Sequence, residues 1–283
     1  KTTFCEERIG AIMTLLTVQH LFIKDSWTNQ TIVNDVSFTV DKGEVLGIIG
    51  ESGSGKSVTC KALVGLNPKR LSVEGKVTFN NVQMLTLSEM QLKKHRGKDI
   101  AMVMQQGSRA FDPSSTVGKQ LIETMKVHTQ LSIQEIEATL IEYMDYMGLN
   151  NPEQILKSYP YMLSGGMLQR MMIALALALK PKLIIADEPT TALDTITQYD
   201  VLQAFKDIKQ HFDCAMIFIS HDLTVINHIA DRVVVMRSGQ LIEEGTREAV
   251  LYQPQQPYTQ YLLSTRKKVN DYFKSVLRGE SDA

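Results

Sequence analysis

The chain has 283 residues, a formal net charge of −1 and 43% hydrophobic residues. That length suits one large α/β domain or two small ones, and so even a charge balance argues against a general nucleic-acid binder, which carries a basic surface. No run approaches the ~18 apolar residues that span a bilayer; the longest, Leu183-Ile184-Ile185-Ala186 and Val233-Val234-Val235-Met236, are of core-strand length.

Met13-Thr14-Leu15-Leu16 looks like a natural start, so residues 1–12 are expected to be a remnant or an upstream extension outside the fold. They lack a basic region followed by an apolar one, and no signal peptide is expected. Leu15 to Ile23 alternates apolar and polar residues and predicts an edge-like strand. A turn at Asp25-Ser26-Trp27-Thr28-Asn29 leads to a second strand, Val33 to Val40, closed by Asp41-Lys42-Gly43. Val45 to Ile49 reads as a buried strand, followed by a glycine-rich turn and a helix from Val58 to Leu66. Next come a strand over Val73 to Phe79, a basic helix over Leu87 to Arg96 and a buried strand over Ile100 to Met104. From about Gln120 to Gly148 the pattern is almost purely helical, with Gly148 as a cap and Asn150-Asn151-Pro152 as a break. Ser164 opens a helix rich in Met, Leu and Ala that ends near Lys180-Pro181. Two strand–helix units follow around Ile184 and Met216, then a closing strand pair, Val233 to Met236 and Leu241 to Glu243. After Gln253-Pro254-Gln255-Gln256-Pro257 the tail is polar and helical in pieces.

Strands alternating with helices predict an α/β fold with a mostly parallel, covered sheet. The helical block from about 106 to 178 breaks the alternation and reads as an inserted subdomain. The expected division is an extension over 1–12, one main domain over 13–250 and a C-terminal extension over 251–283. Cys5, Cys60 and Cys214 are too far apart for a metal-ligand spacing or a disulfide framework, as expected of thiols in a reducing cytoplasm.

Gly50-Glu51-Ser52-Gly53-Ser54-Gly55-Lys56-Ser57 matches the phosphate-binding loop pattern and lies between a strand and a helix, where that loop must lie. A glycine turn running through Val58 into a helix N-terminus offers backbone N–H groups and a favourable dipole to phosphate. Lys56 would reach the β- and γ-phosphates of a nucleoside triphosphate, and the Ser57 hydroxyl would hold Mg²⁺. Leu183 to Glu188 is an apolar strand ending in two carboxylates. Asp187 would support the Mg²⁺, and Glu188 would polarise the attacking water. Ser164, Gly165 and Gly166 at a helix N-terminus form a second candidate anion site.

Leu163-Ser164-Gly165-Gly166 shortly before the Asp-Glu strand resembles the signature of ABC ATPases. The resemblance implies a P-loop NTPase (RecA-like) core with a mostly parallel sheet, an antiparallel β subdomain and an inserted α-helical subdomain. It implies ATP and Mg²⁺ as cofactors, and a signature that faces the γ-phosphate held by the loop of an opposite subunit. Gln105 resembles the Q-loop glutamine, which contacts Mg²⁺ or water and links to the membrane partner. Ala192-Leu193-Asp194 resembles the D-loop, which crosses the dimer interface, and His221 in Ser220-His221-Asp222 resembles the switch histidine. The family usually stacks adenine on an aromatic residue where this chain has Asp25. Trp27 either takes that place or fills a surface groove.

Tyr159-Pro160 before the signature, the run Ala186 to Asp194 and Pro257-Tyr258-Thr259 resemble the peptide and nickel importer ATPases. Many peptide-importing members carry a cysteine cluster beyond this segment, whereas this chain has no cysteine after Cys214. The run Gly166 to Ala174 is closer to nickel-type members. The resemblance thus implies an ATPase subunit of a binding-protein-dependent importer of nickel, metal–metallophore complexes or peptides. Implied partners are two membrane permeases docked after Gln105 (about Arg109 to Gln120), a second ATPase chain, identical or related, and indirectly an extracytoplasmic solute-binding protein. No nucleic acid is expected, and the implied location is the cytoplasmic side of the cell membrane. The alternatives are an ABC exporter subunit and a soluble ABC ATPase. The Pro-Tyr-Thr segment weighs against the first; the lack of a second ATPase unit, a long coiled-coil insertion or zinc-binding cysteines weighs against the second.

Overall fold

The structure, a computed structural model, describes residues 13–105, 107–191, 193–212 and 214–265. The expected extension over 1–12, Ala192 of the expected interface loop and the tail beyond 265 lie outside the described residues.

Two sheets stack through a shared apolar layer. The first is antiparallel, built from β1 (Thr14–Asp25), β2 (Thr31–Asp41), β4 (Leu71–Phe79) and β5 (Val82–Gln83) in the order β2-β1-β4-β5. The second has six strands in the order β10-β9-β3-β8-β7-β6. Its strands β3 (Val45–Ile49), β6 (Ile100–Val103), β7 (Leu183–Asp187), β8 (Ala215–Ile219) and β9 (Arg232–Arg237) are parallel. An antiparallel strand, β10 (Gln240–Thr246), closes one edge.

Period-two alternation divides the central strands between two cores. Leu46 and Ile48 of β3, Leu183 and Ile185 of β7, and Ile217 of β8 face the antiparallel sheet and α1 (Lys56–Leu63). Val45, Ile49, Ile184, Ala186, Met216 and Phe218 face the helical side. All five residues of β3, β7 and β8 are buried, as expected of strands covered on both faces. The helix α8 (Leu223–Ile229) lies so close to β3 that a Cβ at Gly47 would come within 3.1 Å of Ile226 and Ala230.

Between β6 and β7 lie α3 (Val117–His128), α4 (Ile133–Tyr146), α5 (Pro152–Leu156) and α6 (Gly165–Ala178). The region read as almost purely helical up to Gly148 holds two helices, α3 and α4. Ser132 caps α4 by accepting from the Glu135 N–H, while the Glu135 carboxylate accepts from the Ser132 N–H at 2.8 Å. That reciprocal pair starts a new helix wherever it forms. Gly148 turns the chain at φ 67°, and Pro152 at the first turn of α5 completes the expected break. The basic helix is α2 (Glu89–His95), and α7 (Thr195–Phe212) and α9 (Arg247–Tyr252) follow their strands. Among the described residues the final helix, α10, covers 257–265.

One expectation is overturned. β1 is an interior strand, hydrogen-bonded to β2 on one side and β4 on the other. Its alternation is real, with Leu21 and Ile23 buried and Phe22 exposed. Alternation reports which face is solvated, however, and carries no information about hydrogen-bonded neighbours.

Candidate functional site

The carboxyl ends of β3, β7 and β8 lie side by side, and the loops that leave them carry the charged and polar groups of the cleft. Ligands of parallel α/β sheets bind at this edge.

The phosphate-loop candidate leaves β3 at Gly50, whose φ of 151° and contact with the Met236 carbonyl leave no room for a Cβ. Gly53 and Gly55 also have positive φ, 80° and 100°, which glycine adopts without steric cost. Gly55 caps α1, so the N–H groups of Lys56, Ser57 and Val58 begin the helix and point its positive dipole end into the cleft. Glu51, Ser52 and Gly53 form the exposed rim, and Ser54 and Gly55 are buried beneath it. The Lys56 ammonium is buried and donates to the carbonyls of Gly50 (3.0 Å) and Glu51 (2.8 Å) and to Ser54 Oγ (3.3 Å). It folds back across the cradle that an incoming phosphate would fill.

Opposite, the Ser57 hydroxyl donates to Asp187 Oδ1 at 2.8 Å. Asp187 is 5% exposed at the end of β7, and burial raises its carboxyl pKa, against opposing pulls from the Ser57 hydroxyl and Lys61. Glu188 adopts a left-handed φ of 49°, its N–H bonded to the Ile219 carbonyl of β8. The turn directs its carboxylate to a point where three side chains meet. Gln105 Nε2 donates to Glu188 Oε2 at 2.7 Å, Thr191 Oγ1 donates to it at 3.2 Å, and His221 Nδ1 lies 3.3 Å from Glu188 Oε1. Gln105, Glu188 and His221, from three separate loops, are therefore one cluster.

This arrangement can bind an anion on backbone N–H groups and move a proton at Glu188. Ser57 and Asp187 are hard oxygen donors in contact, with the Gln105 amide on the neighbouring loop. Such a sparse set suits Mg²⁺, which takes one or two protein oxygens and completes its shell with water and substrate phosphates.

Three other sequence candidates lie apart from the cluster. Ser164 caps α6 by accepting from the Met167 N–H at 3.2 Å, and Ser164 and Gly165 are exposed beside Gly166. A Cβ on Gly165 would meet nothing within 4 Å. This helix end therefore opens to the surface and makes no hydrogen bond to the Lys56 loop among the described residues. Asp194 is exposed and caps α7, accepting from the Thr197 N–H (3.0 Å) and hydroxyl (2.7 Å). Trp27 is 80% exposed, with the Arg70 guanidinium 5.7 Å from its ring centroid. Asp25 accepts from the Trp27 and Thr28 N–H groups at 2.9 and 3.3 Å and so shapes the turn that presents the indole.

Nothing in the motif pattern singles out Gln169 or places Tyr258 near the cleft. Gln169 is fully buried on α6; its Oε1 accepts from the Gly107 N–H at 2.7 Å and its Nε2 donates to the Met104 carbonyl at 3.1 Å. It thereby ties both sides of the Gln105 loop to the helix that Ser164 begins. Gln169 and Arg170 are the polar residues inside the otherwise apolar Leu168-to-Ala174 stretch, and Gln169 is the one that is buried. Tyr258 accepts from the Glu51 N–H at 3.4 Å. Farther along the chain, Ser114 and Lys119 are exposed, whereas the Ser108 and Arg109 side chains lie outside the described residues.

A family model described as ABC transporter matches residues 33–191. The metal-staphylopine import system ATP-binding protein CntD of Staphylococcus aureus (strain NCTC 8325 / PS 47) is 76% identical over 95% of this chain and 99% of its own length. The dipeptide transport ATP-binding protein DppD of Bacillus subtilis (strain 168) is 41% identical over 89% of this chain and 76% of its own. Among solved structures, a dimeric ATP-binding cassette in a post-hydrolysis state bound to ADP and Pi superposes with a TM-score of 0.75. It is 26% identical and covers 82% of this chain and 99% of that chain.

Proposed function

From the premise that the chain belongs to the ABC transporter family, as an ATP-binding and ATP-hydrolysing subunit of an importer, we propose that it powers uptake of metal–metallophore complexes of the metal-staphylopine kind. The observation that carries the cargo is the 76% identity to CntD along essentially the whole of both chains, against 41% for a dipeptide system.

In the proposed mechanism Lys56 leaves the Gly50 and Glu51 carbonyls for the β- and γ-phosphates, while the N–H groups from Gly53 to Val58 cradle the phosphate oxygens. Ser57 and Asp187, with Gln105, would hold Mg²⁺, which would supply positive charge to offset that of the phosphates. Glu188 takes the proton of the attacking water, and its contacts with Gln105 and His221 orient it. Trp27 offers a face to adenine. Ser164, Gly165 and Gly166, open at the surface, complete the site of a second ATPase chain, and Asp194 lies at that interface.

The domain division that fits this mechanism is the main domain over 13–250, with the helical block over 106–178 as the part that moves when Gln105 senses the phosphate. Two permeases dock on that block near Ser114 and Lys119. Among the described residues no helix is long and apolar enough to cross a membrane, so the pore is assigned to those partners. The chain then sits peripherally on the cytoplasmic side, with a solute-binding protein acting through the permeases.

Deleting the gene and measuring radiolabelled nickel and cobalt uptake with and without added metallophore, beside sensitivity to a toxic peptide analogue, tests the cargo. Lost metallophore-dependent metal uptake with unchanged peptide sensitivity is expected. Unchanged metal uptake with lost peptide sensitivity would replace the metal complex by a peptide.

A further inference from the structure

The segment that follows α9 is anchored by several independent contacts. Glu243 of β10 accepts from the main-chain N–H groups of Gln255 (2.7 Å) and Gln256 (3.2 Å), and the Gln260 amide donates to the Pro254 carbonyl at 3.0 Å. Those bonds start α10 at Pro257, a residue whose fixed φ suits the first helical turn. Tyr258 and Leu262, one turn apart, are 7% and 4% exposed and belong to the main core, while Tyr261 on the far side is 59% exposed. The Arg237 guanidinium, at the end of β9, lies 4.6 Å from the Tyr258 ring centroid. The ring is therefore held by burial and by a cation, and its phenol reaches the first exposed residue of the phosphate loop, accepting from the Glu51 N–H.

The rest of that loop is held from other sides. Gly50 lies against the Met236 carbonyl, and the Gly239 N–H donates to the Ser54 carbonyl at 3.0 Å. The Glu51 carbonyl accepts from Lys56 at 2.8 Å and from the Ser54 N–H at 3.2 Å. The three N–H donors of the Lys56 ammonium meet Gly50, Glu51 and Ser54, so a phosphate oxygen that Lys56 reaches takes at least one of them from the loop. Where the Glu51 bond is the one given up, the residue keeps the Ser54 N–H inside the loop and the Tyr258 tether outside it.

The geometry points to Tyr258 as a positioning residue for the phosphate loop: its phenol, delivered by the docked C-terminal helix, fixes Glu51 when Lys56 turns to the nucleotide. The C-terminal segment is thus part of the mounting of the nucleotide site, and nucleotide binding depends on the hydroxyl more than folding does. The inference rests on the reading of this loop as the ATP site.

Tyr258→Phe keeps the ring, its burial and the Arg237 contact and removes only the hydroxyl that bonds Glu51. In the full chain, one hydrogen bond of ordinary worth corresponds to about a fivefold weaker affinity for ATP. The KM for ATP should rise by the same factor with kcat within about twofold, since the bond serves binding of the ground state and transition state alike. Amide hydrogen exchange in a peptide spanning the loop should quicken in the ATP-bound variant and change little without ATP. The melting temperature without nucleotide should stay within ~2 °C of wild type, and its rise on adding ATP should shrink. Tyr261→Phe, on the exposed side, should match wild type in every readout. Equal ATP affinity and KM in Tyr258→Phe and wild type would overturn the inference. So would a melting temperature lowered equally with and without ATP at unchanged KM, the signature of packing alone. Lys56→Ala serves as the control for the loop itself: if wild type binds ATP and Lys56→Ala does not, an unaffected Tyr258→Phe refutes the tether and leaves the nucleotide site standing.

Discussion

Asp187→Asn should make the chain more stable and less active. Asparagine has nearly the same volume, and its amide oxygen can still accept from Ser57 across 2.8 Å. What disappears is a negative charge at a position 5% exposed. Burial raises the Asp187 pKa above 3.8, Glu188 adds to the rise, and Ser57, Lys61 and Lys56 only partly offset it. Below pH 3.8 the carboxyl is protonated in both folded and unfolded chains, so wild type and variant should be nearly equal in stability. As pH rises through the window from 3.8 to the raised folded value, the unfolded chain ionises first and wild type loses stability relative to the variant. Above that window the deficit is constant. Relief of a functional charge of this kind is worth on the order of 1 kcal/mol, or about 2–4 °C in melting temperature for a domain of this size. Losing the carboxylate proposed to support Mg²⁺ should cost several kcal/mol of transition-state stabilisation, a fall of ~10²-fold or more in phosphate release. Differential scanning fluorimetry from pH 4 to 8 without nucleotide, paired with a phosphate-release assay, reads both effects. A variant less stable than wild type at neutral pH, or a stability gap that widens toward acid, would refute the electrostatic account of this site.

Lys56→Ala removes the buried ammonium from the loop and should weaken ATP binding as well as turnover, measured by fluorescent-nucleotide titration beside phosphate release; wild-type affinity would contradict its role. ATP added to Glu188→Gln, with the partner ATPase present if that chain is different, should trap a closed dimer by light scattering, and Ser164→Arg on that background should abolish the trap. Charge reversal at the exposed Lys119, or Ser114→Glu, should uncouple transport while leaving basal hydrolysis within about twofold, because neither residue touches the cleft and surface changes rarely perturb stability. Unchanged transport and permease association would place docking elsewhere.

Local chemistry carries the groups that meet at the cleft. The glycine spacing from Gly50 to Gly55 is legible because positive φ and close backbone approach demand glycine, as the contact of Gly50 with the Met236 carbonyl illustrates. The Asp187-Glu188 pair is legible only in company with the upstream phosphate loop, because strand ends often carry solvated acids. Pairings across the chain are not legible in this way. Arg232 binds Glu44, 188 residues away in sequence, at 2.6 Å and also bonds Glu244, and no local pattern marks them as partners. Gln169 and Tyr258 escape notice for the same reason: their work is done by burial and by main-chain groups of distant loops. The mistaken edge assignment of β1 has a related cause, since hydrogen bonds to β2 and β4 leave no trace in the alternation of its side chains. The break between α3 and α4 was open to reading, because Ser132 and Glu135 stand at capping-box spacing; the apolar periodicity on either side conceals it.

The most direct measurement compares wild type and Glu188→Gln at saturating Mg-ATP, with bound nucleotide and released phosphate determined on the same samples. Glutamine preserves the shape of the side chain that receives Gln105 and Thr191 but cannot take a proton from water. Bound ATP should be the same in the two proteins, while phosphate release by the variant should fall by ~10²–10⁴-fold, the usual contribution of a general base. Hydrolysis at the wild-type rate in Glu188→Gln would contradict the account at its centre.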